Sequence, residues 1–272
     1  MPPEMRTVAV AGVGLIGGSF ALALRAAGFA GRILGVDSPA VIASARERGA
    51  IDAGADLAEA CAAADLVYLA APIEAILNLL EPVDQAVRPG TLITDAGSTK
   101  AAIAARAAAV VRRGVFVGGH PMAGKEITGV AGADSGLFAG RPYLLTGEPP
   151  AEFRLWLEKI GVRIRVLDPA EHDRLVAYTS HLPQLVATAL ALTIGSAPGS
   201  AGATGPAARE MTRLASSPFS VWHDILRSNA PNIRAALAAL RAELDELEAR
   251  LEQPEMAGKF HDAAAVRRRL LD

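Results

Sequence analysis

The stretch Val8-Ala-Val-Ala-Gly12-Val-Gly14-Leu15-Ile16-Gly17-Gly18-Ser19 decides the fold. A short apolar strand runs into a glycine turn, and the turn opens directly into a helix. Gly12 permits the turn, Gly14 lets backbone approach a phosphate with no Cβ in the way, and Gly17 lets helix and strand pack closely. The free N–H groups at the start of the helix, from Leu15 and Ile16 onward, and its positive end then face the two charges of a pyrophosphate.

A lone G-x-G-x-x-G is weak, so its surroundings carry the inference. A second apolar strand, Ile33-Leu-Gly-Val36, ends in Asp37, where a carboxylate can accept hydrogen bonds from the adenosine ribose hydroxyls. The same charge repels a 2′-phosphate, and no Arg follows within the next few residues, which favours NAD over NADP. The competing reading makes Asp37 a cap for the helix starting near Pro39, a role Ser38 also fits. Thr7 to Leu24 carries no charge and is long enough to suggest a signal sequence or membrane span. Its glycines weaken an apolar helix, and its strand-then-turn pattern argues against both.

Strand and helix alternate through the first part of the chain. Helices are expected over 39–48, 73–87, 99–112 and 151–160. Strands are expected at Leu66–Ala70, Thr91–Thr94, Val115–Gly118, Tyr143–Thr146 and Arg163–Leu167. Such alternation predicts an α/β fold, a Rossmann-type doubly wound and mostly parallel sheet over residues 1–167, with ligands outside the carboxyl ends of the strands. Asp37, Ala71-Pro72, Asp95 to Lys100 and His120 fall at those ends.

After Asp168-Pro169 strand signals stop, and residues 168–272 read as an all-helical domain for substrate binding and dimerisation, broken at Gly195–Gly205. Leu237, Leu240, Leu244, Leu247 and Leu251 recur at spacings of three and four, a narrow seam that either packs inside the chain or pairs two subunits into a homodimer.

The 272 residues suffice for about two domains, and a net charge of −2 gives no electrostatic case for nucleic acid or an anionic membrane. The single Cys61 excludes an internal disulfide, leaves no cysteine cluster for zinc, and reads as a small buried residue. No metal is expected, and a soluble cytoplasmic protein is.

Gly118-Gly-His120-Pro-Met-Ala-Gly124-Lys-Glu126 follows an apolar strand and reads as a glycine-rich loop. A histidine there can lie against a nicotinamide and accept a proton from an alcohol while hydride leaves the same carbon; the bland alternative is a backbone-bonded ring. Asp95-Ala-Gly-Ser98-Thr-Lys100 supplies a hydroxyl able to orient that imidazole, or a simple helix cap.

Five segments together resemble the prephenate/arogenate dehydrogenase family of tyrosine biosynthesis, over essentially the whole length: G-V-G-L-I-G-G-S at 12–19, G-S-T-K at 97–100, G-G-H-P-M-A-G at 118–124, S-H-L-P-Q at 180–184 and T-R-L-A-S-S-P-F-S-V-W at 212–222. The resemblance implies an NAD-dependent oxidoreductase whose hydride transfer is coupled to loss of carbon dioxide. It implies that His120 takes the hydroxyl proton, that Ser98 bonds both His120 and the reacting hydroxyl at the cofactor's edge, and that Arg213 grips a substrate carboxylate with its planar fork. His181 and Glu126 match positions that line or gate the substrate site, and Trp222 is either core or site lining. Arg209, four residues before Arg213, is the alternative anchor. The resemblance implies oxidative decarboxylation of prephenate to 4-hydroxyphenylpyruvate, with arogenate, or both substrates, as the alternative that the sequence does not decide. Tyrosine feedback, if present, is expected to act at the active site, since the sequence reads as leaving no room for a mutase domain before the glycine strand and as lacking the strand-helix alternation of a regulatory domain. A β-hydroxyacid dehydrogenase would rely on a lysine early in the helical domain, where this chain has His172 and His181, and a non-catalytic dinucleotide-sensing module would not need His120, Ser98 and Arg213.

Overall fold

The structure, a computed structural model, describes residues 5–125 and 127–271. Glu126 therefore lies outside the described residues. The first half runs β1 (Thr7–Ala11), α1 (Leu15–Ala26), β2 (Arg32–Val36), α2 (Pro39–Glu47), β3 (Ala53–Gly54), α3 (Leu57–Ala63) and β4 (Leu66–Leu69). It continues through α4 (Ile73–Ala86), β5 (Leu92–Asp95), α5 (Ala101–Val110), β6 (Val115–Val117), β7 (Gly119–Pro121), β8 (Pro142–Leu145), α6 (Ala151–Ile160) and β9 (Arg163–Val166). The helical half comprises α7 (Pro169–Val176), α8 (Leu182–Ser196), α9 (Ser200–Ala203), α10 (Pro206–Met211), α11 (Phe219–Ser228), α12 (Ala230–Ala249) and α13 (Met256–Leu271).

Six parallel strands form one sheet in the order β3-β2-β1-β4-β5-β6. Strand residues sort by a period of two, as a sheet covered on both faces requires. Val8, Val10, Leu66 and Tyr68 enter the core on one face, where Phe20 of α1 stacks on Tyr68 with ring centroids 3.9 Å apart. Ala9, Ala11, Val67 and Leu69 enter the core on the other, against Ile76 and Leu80 of α4.

The sequence reading placed the strands near 143 and 163 in that same sheet. They form a separate three-stranded one, β7-β8-β9, in which β7 runs antiparallel to β8. The chain breaks at Gly118 after β6 and resumes as β7, which packs so closely on the end of β5 that a Cβ on Gly119 would lie 2.6 Å from the Asp95 carbonyl. His120 is thus a strand residue, where a loop was expected.

Asp168 starts the helical half by accepting hydrogen bonds from the N–H groups of Ala170 and Glu171. α7 and α8 are continuous through one π turn, Ala177–His181. Pro169–Ser196 is long and apolar enough to cross a membrane by length and composition. Buried His172, Asp173 and His181 tie the first part of this run to other parts of the chain, whereas within Leu182–Ser196 only Gln184 and Ala187 are buried. The expected leucine seam divides. Leu237 packs with Ile233 and Ala236 inside the chain, whereas Leu244 and Leu251 are exposed.

The tightest point of the fold is Gly17, whose Cβ would stand 2.0 Å from the Gly12 carbonyl and 2.9 Å from Val10 Cγ1. Gly17→Ala is expected to lower unfolding stability by at least about 2 kcal/mol, since neither backbone nor strand can yield. Urea unfolding checks this, and an unchanged midpoint would contradict it.

Candidate active site

Register assembles the site's first part. Ala11 pairs with both Val36 and Leu69, and Leu69 pairs with Asp95, so the carboxyl ends of β2, β1, β4 and β5 finish level. The residues that follow, Asp37, Gly12, Ala71 and Ser98, therefore line one edge in that order. Gly12, at φ +89°, donates its N–H to the Val36 carbonyl at 3.0 Å, and its missing Cβ would lie 2.5 Å from the Ala70 oxygen and 3.2 Å from Ala71 N. A Cβ on Gly14 would meet nothing within 4 Å. α1 begins there with no side-chain cap and no acid in its first turn, which leaves its leading N–H groups and positive end to an anion.

Asp37 is exposed, and its carboxylate accepts the N–H of Val13 at 2.8 Å and that of Ser38 at 2.7 Å. Neither Asp37 nor Ser38 caps α2 through its side chain. Each carboxylate oxygen keeps a lone pair for a further donor, the capacity a vicinal diol needs.

The second part is a cleft of about 410 Å³ between the halves. It brings Ser98 and His120 from the sheet edge together with Arg213, Gln184 and Trp222 from the helical half. Arg213 opens the 3₁₀ turn Arg213–Ser216, held to α8 by a 2.8 Å hydrogen bond from Gln184 Nε2 to the Leu214 carbonyl. Arg209 sits on α10, which ends at Met211, so the two arginines do not share one continuous helix, and the residues lining the cleft include Arg213 and omit Arg209. Trp222 fills both expected roles, lining the cleft while packing on the core beside Ile225. His181 lies behind it, buried, with its ring edge-on to Trp222 at 6.0 Å between centroids. Asn229 Nδ2 donates to the Asp173 carbonyl and approaches His181 Nδ1 at 3.2 Å. Burial pulls the His181 pKa down to about 4, so this ring is neutral at physiological pH.

His120 is nearly buried, and the hydrogen bond holding its ring comes from an element the sequence reading did not use. Its Nδ1 lies 2.9 Å from Nε2 of His172, whose Nδ1 lies 2.8 Å from Asp173 Oδ1. The resemblance put Ser98 against His120; Ser98 enters the cleft alongside, and His172 makes the bond to the imidazole. Burial of the ring, and after it the nearby His172, Lys100 and His181, push the His120 pKa well below that of an ordinary histidine.

Beneath the ring, fully buried Lys100 pairs with Asp95 and donates to the Gly119 carbonyl at 2.7 Å. Asp95 also accepts the N–H groups of Gly97 at 2.8 Å and Gly119 at 3.1 Å. Among the described residues no group of histidine, cysteine and carboxylate side chains could hold a metal ion.

Residues 20–164 match the family model for the prephenate dehydrogenase nucleotide-binding domain, and residues 168–263 match that for the prephenate dehydrogenase dimerization domain. The chain belongs to the prephenate dehydrogenase family. It is 34% identical over 250 residues to the prephenate dehydrogenase of Lactococcus lactis subsp. cremoris, spanning 89% of this chain and 70% of that one. The crystal structure of prephenate dehydrogenase from A. aeolicus in complex with hydroxyphenyl propionate and NAD+ is similar with a TM-score of 0.87 and 30% identity, over 100% of both chains. Synechocystis arogenate dehydrogenase is similar with a TM-score of 0.83 and 30% identity, over 97% of this chain and 99% of that one. The α/β fold with its helical second half is thus the family's fold, and the protein is an oxidoreductase of this family with a nucleotide-binding first half.

Sequence reasoning missed Asp173 and the Lys100–Asp95 pair, and gave His172 no role. No local signal marked them, since His172-Asp173 lies between Glu171 and Arg174 in a helix that reads as polar. Lys100→Met is expected to cost about 3–5 kcal/mol in urea unfolding, because Asp95 would stay buried without its cation. Adding Asp95→Asn to it should restore part of the loss. A drop under about 1 kcal/mol for the single change would show that the pair is dispensable.

Proposed function

We propose that the protein catalyses NAD-dependent oxidative decarboxylation of prephenate to 4-hydroxyphenylpyruvate, as a cytoplasmic homodimer. The observation that carries this reading is the convergence of a buried neutral imidazole, a serine hydroxyl and a guanidinium on one cleft, at the sheet edge that also carries the glycine turn. Similarity to the arogenate dehydrogenase of Synechocystis, at the same identity as to the A. aeolicus enzyme, supports arogenate as a second substrate.

Gly12, Gly14, Leu15, Ile16 and Gly17 would hold the pyrophosphate, Asp37 the adenosine ribose, and Ala71 and Ser98 the stretch toward the nicotinamide. The open space over Gly14 and the spare acceptors of Asp37 fit that group. When bound, NAD supplies the hydride acceptor. Arg213 grips a substrate carboxylate, with Glu126 contributing to the substrate site and His181 backing it from behind Trp222. Ser98 bonds the ring hydroxyl opposite the departing carboxylate. His120 takes the hydroxyl proton as the carbon beneath it gives up hydride, and returns it to that oxygen as carbon dioxide leaves and the ring becomes a phenol. Aromatisation drives the step, so the chain needs chiefly alignment, a base and charge recognition. Exposed Leu244, Leu251 and Phe260 support pairing of two helical halves.

NAD reduction measured with prephenate, arogenate and a panel of hydroxyacids tests the assignment, and turnover of a hydroxyacid alone would overturn it. His120→Asn is expected to lower kcat by about 10²–10⁴-fold with little change in cofactor affinity. Arg213→Ala should chiefly raise the substrate KM, and full turnover by the His120 variant would remove the proposed base. The base works unprotonated, and its pKa is lowered, chiefly by burial. kcat should therefore stay level as pH falls through 6.5, the ordinary histidine value, and fall only below it. A pH profile with its acid limb at or above that value would contradict this.

A further inference from the structure

We propose that His172 and Asp173 form a relay that fixes the tautomer of His120, keeping the proton on Nδ1 and the lone pair on Nε2, so that the nitrogen free to meet substrate is always the basic one. The inference rests on the reading of His120 as the base and adds two positioning residues to it.

The argument runs inward from Asp173. Its Oδ1 accepts the Lys100 N–H at 2.6 Å and faces His172 Nδ1 at 2.8 Å, while Oδ2 accepts the Ala101 N–H at 3.0 Å. Burial opposes its charge, but the hydrogen bonds from His172, Lys100 and Ala101 outweigh that and hold the carboxyl below its ordinary pKa. An ionised carboxylate only accepts, so His172 Nδ1 carries a hydrogen. In neutral His172 the other nitrogen, Nε2, then has a lone pair and no hydrogen. It lies 2.9 Å from His120 Nδ1, and a hydrogen bond there requires His120 to be the donor. The His120 proton is thereby spent on Nδ1. Its Nε2 is left as the acceptor, the state a general base needs before it takes a hydroxyl proton.

The placement of the three side chains supports a dedicated device. His172 is fully buried and Asp173 and His120 nearly so, so water does not compete for these bonds. Asp173 also caps the start of α5 from the helical half. The carboxylate that sets the base therefore also fastens the two halves together, and the base acquires its tautomer only where the halves are docked.

The test reads the tautomer directly. The protein has five histidines, few enough for 15N ring-nitrogen NMR of the full chain, with the His120 signals assigned by their loss in His120→Asn. At pH 8 the His120 ring is expected to show a protonated Nδ1 and an unprotonated Nε2. A proton on Nε2 would overturn the proposal, whatever substrate the enzyme proves to use, because this spectrum requires no turnover. His172→Leu removes the acceptor at similar bulk and is expected to lower kcat by about 10- to 10³-fold with both KM values within about threefold. His172→Gln keeps an acceptor oxygen for the His120 Nδ1–H and should recover at least about tenfold of that loss. Equal kcat for His172→Leu and the wild type, or no recovery with His172→Gln while both variants bind NAD normally, would overturn the relay.

Discussion

Everything in the cleft is referred to one buried carboxylate, that of Asp95 at the end of β5. It takes up the Lys100 ammonium and the N–H groups of Gly97 and Gly119, so one side chain holds the segment bearing Ser98 against the strand bearing His120. Lys100 closes the loop by donating to the Gly119 carbonyl. Two stretches separated by about twenty residues are thus joined with no exposed charge and no slack. A buried ion pair of this kind gives little net stability against an apolar substitute. Its return is positional, since any shift of Ser98 relative to His120 would strand a charge in the core.

Around that joint the electrostatics favour an uncharged imidazole. Burial removes the hydration a cationic ring would need, and a buried ammonium and two further histidines stand close by. In the proposed reaction the bound cofactor would bring a positive charge to the cleft, and a neutral base with its lone pair presented is then the useful state. Asp173 supplies compensating negative charge one residue beyond His172, and the start of α5 satisfies that carboxylate with two N–H groups.

Much of this was legible from residue order because it depends on local rules. The glycine turn, the strand-helix alternation and the change to pure helix at Asp168-Pro169 each follow from short-range sterics or periodicity, and the structure follows them closely. β3 has two residues, too few to produce a pattern that can be read. The second sheet escaped because pairing partners of short strands are set by packing against β5, and nothing near His120 in the chain records that. The His120–His172 contact spans 52 positions and the Lys100–Asp173 contact 73, distances at which periodicity carries no information. His120, Ser98 and Arg213 could still be picked out, because each sits in a motif whose chemistry is local even though their meeting point is not.

The π turn between α7 and α8 shows how the helical half reconciles packing with chemistry. A regular helix through Ala177–His181 would keep a fixed angular relation between His172, on the turn facing α5, and Thr179, Ser180 and Gln184, which line the cleft. One widened turn resets that relation, allowing the first segment to meet the nucleotide-binding half through Asp173 while the second meets the cleft through Ser180 and Gln184. His181, at the end of that turn, then faces inward to Asn229 and Trp222. Such a turn weakens the helix's own hydrogen bonding, and it packs against α12. The departure from ideal helix falls where one continuous rod must serve two surfaces, and a strictly α-helical rod of the same sequence would give up either the docking of the halves or the lining of the cleft.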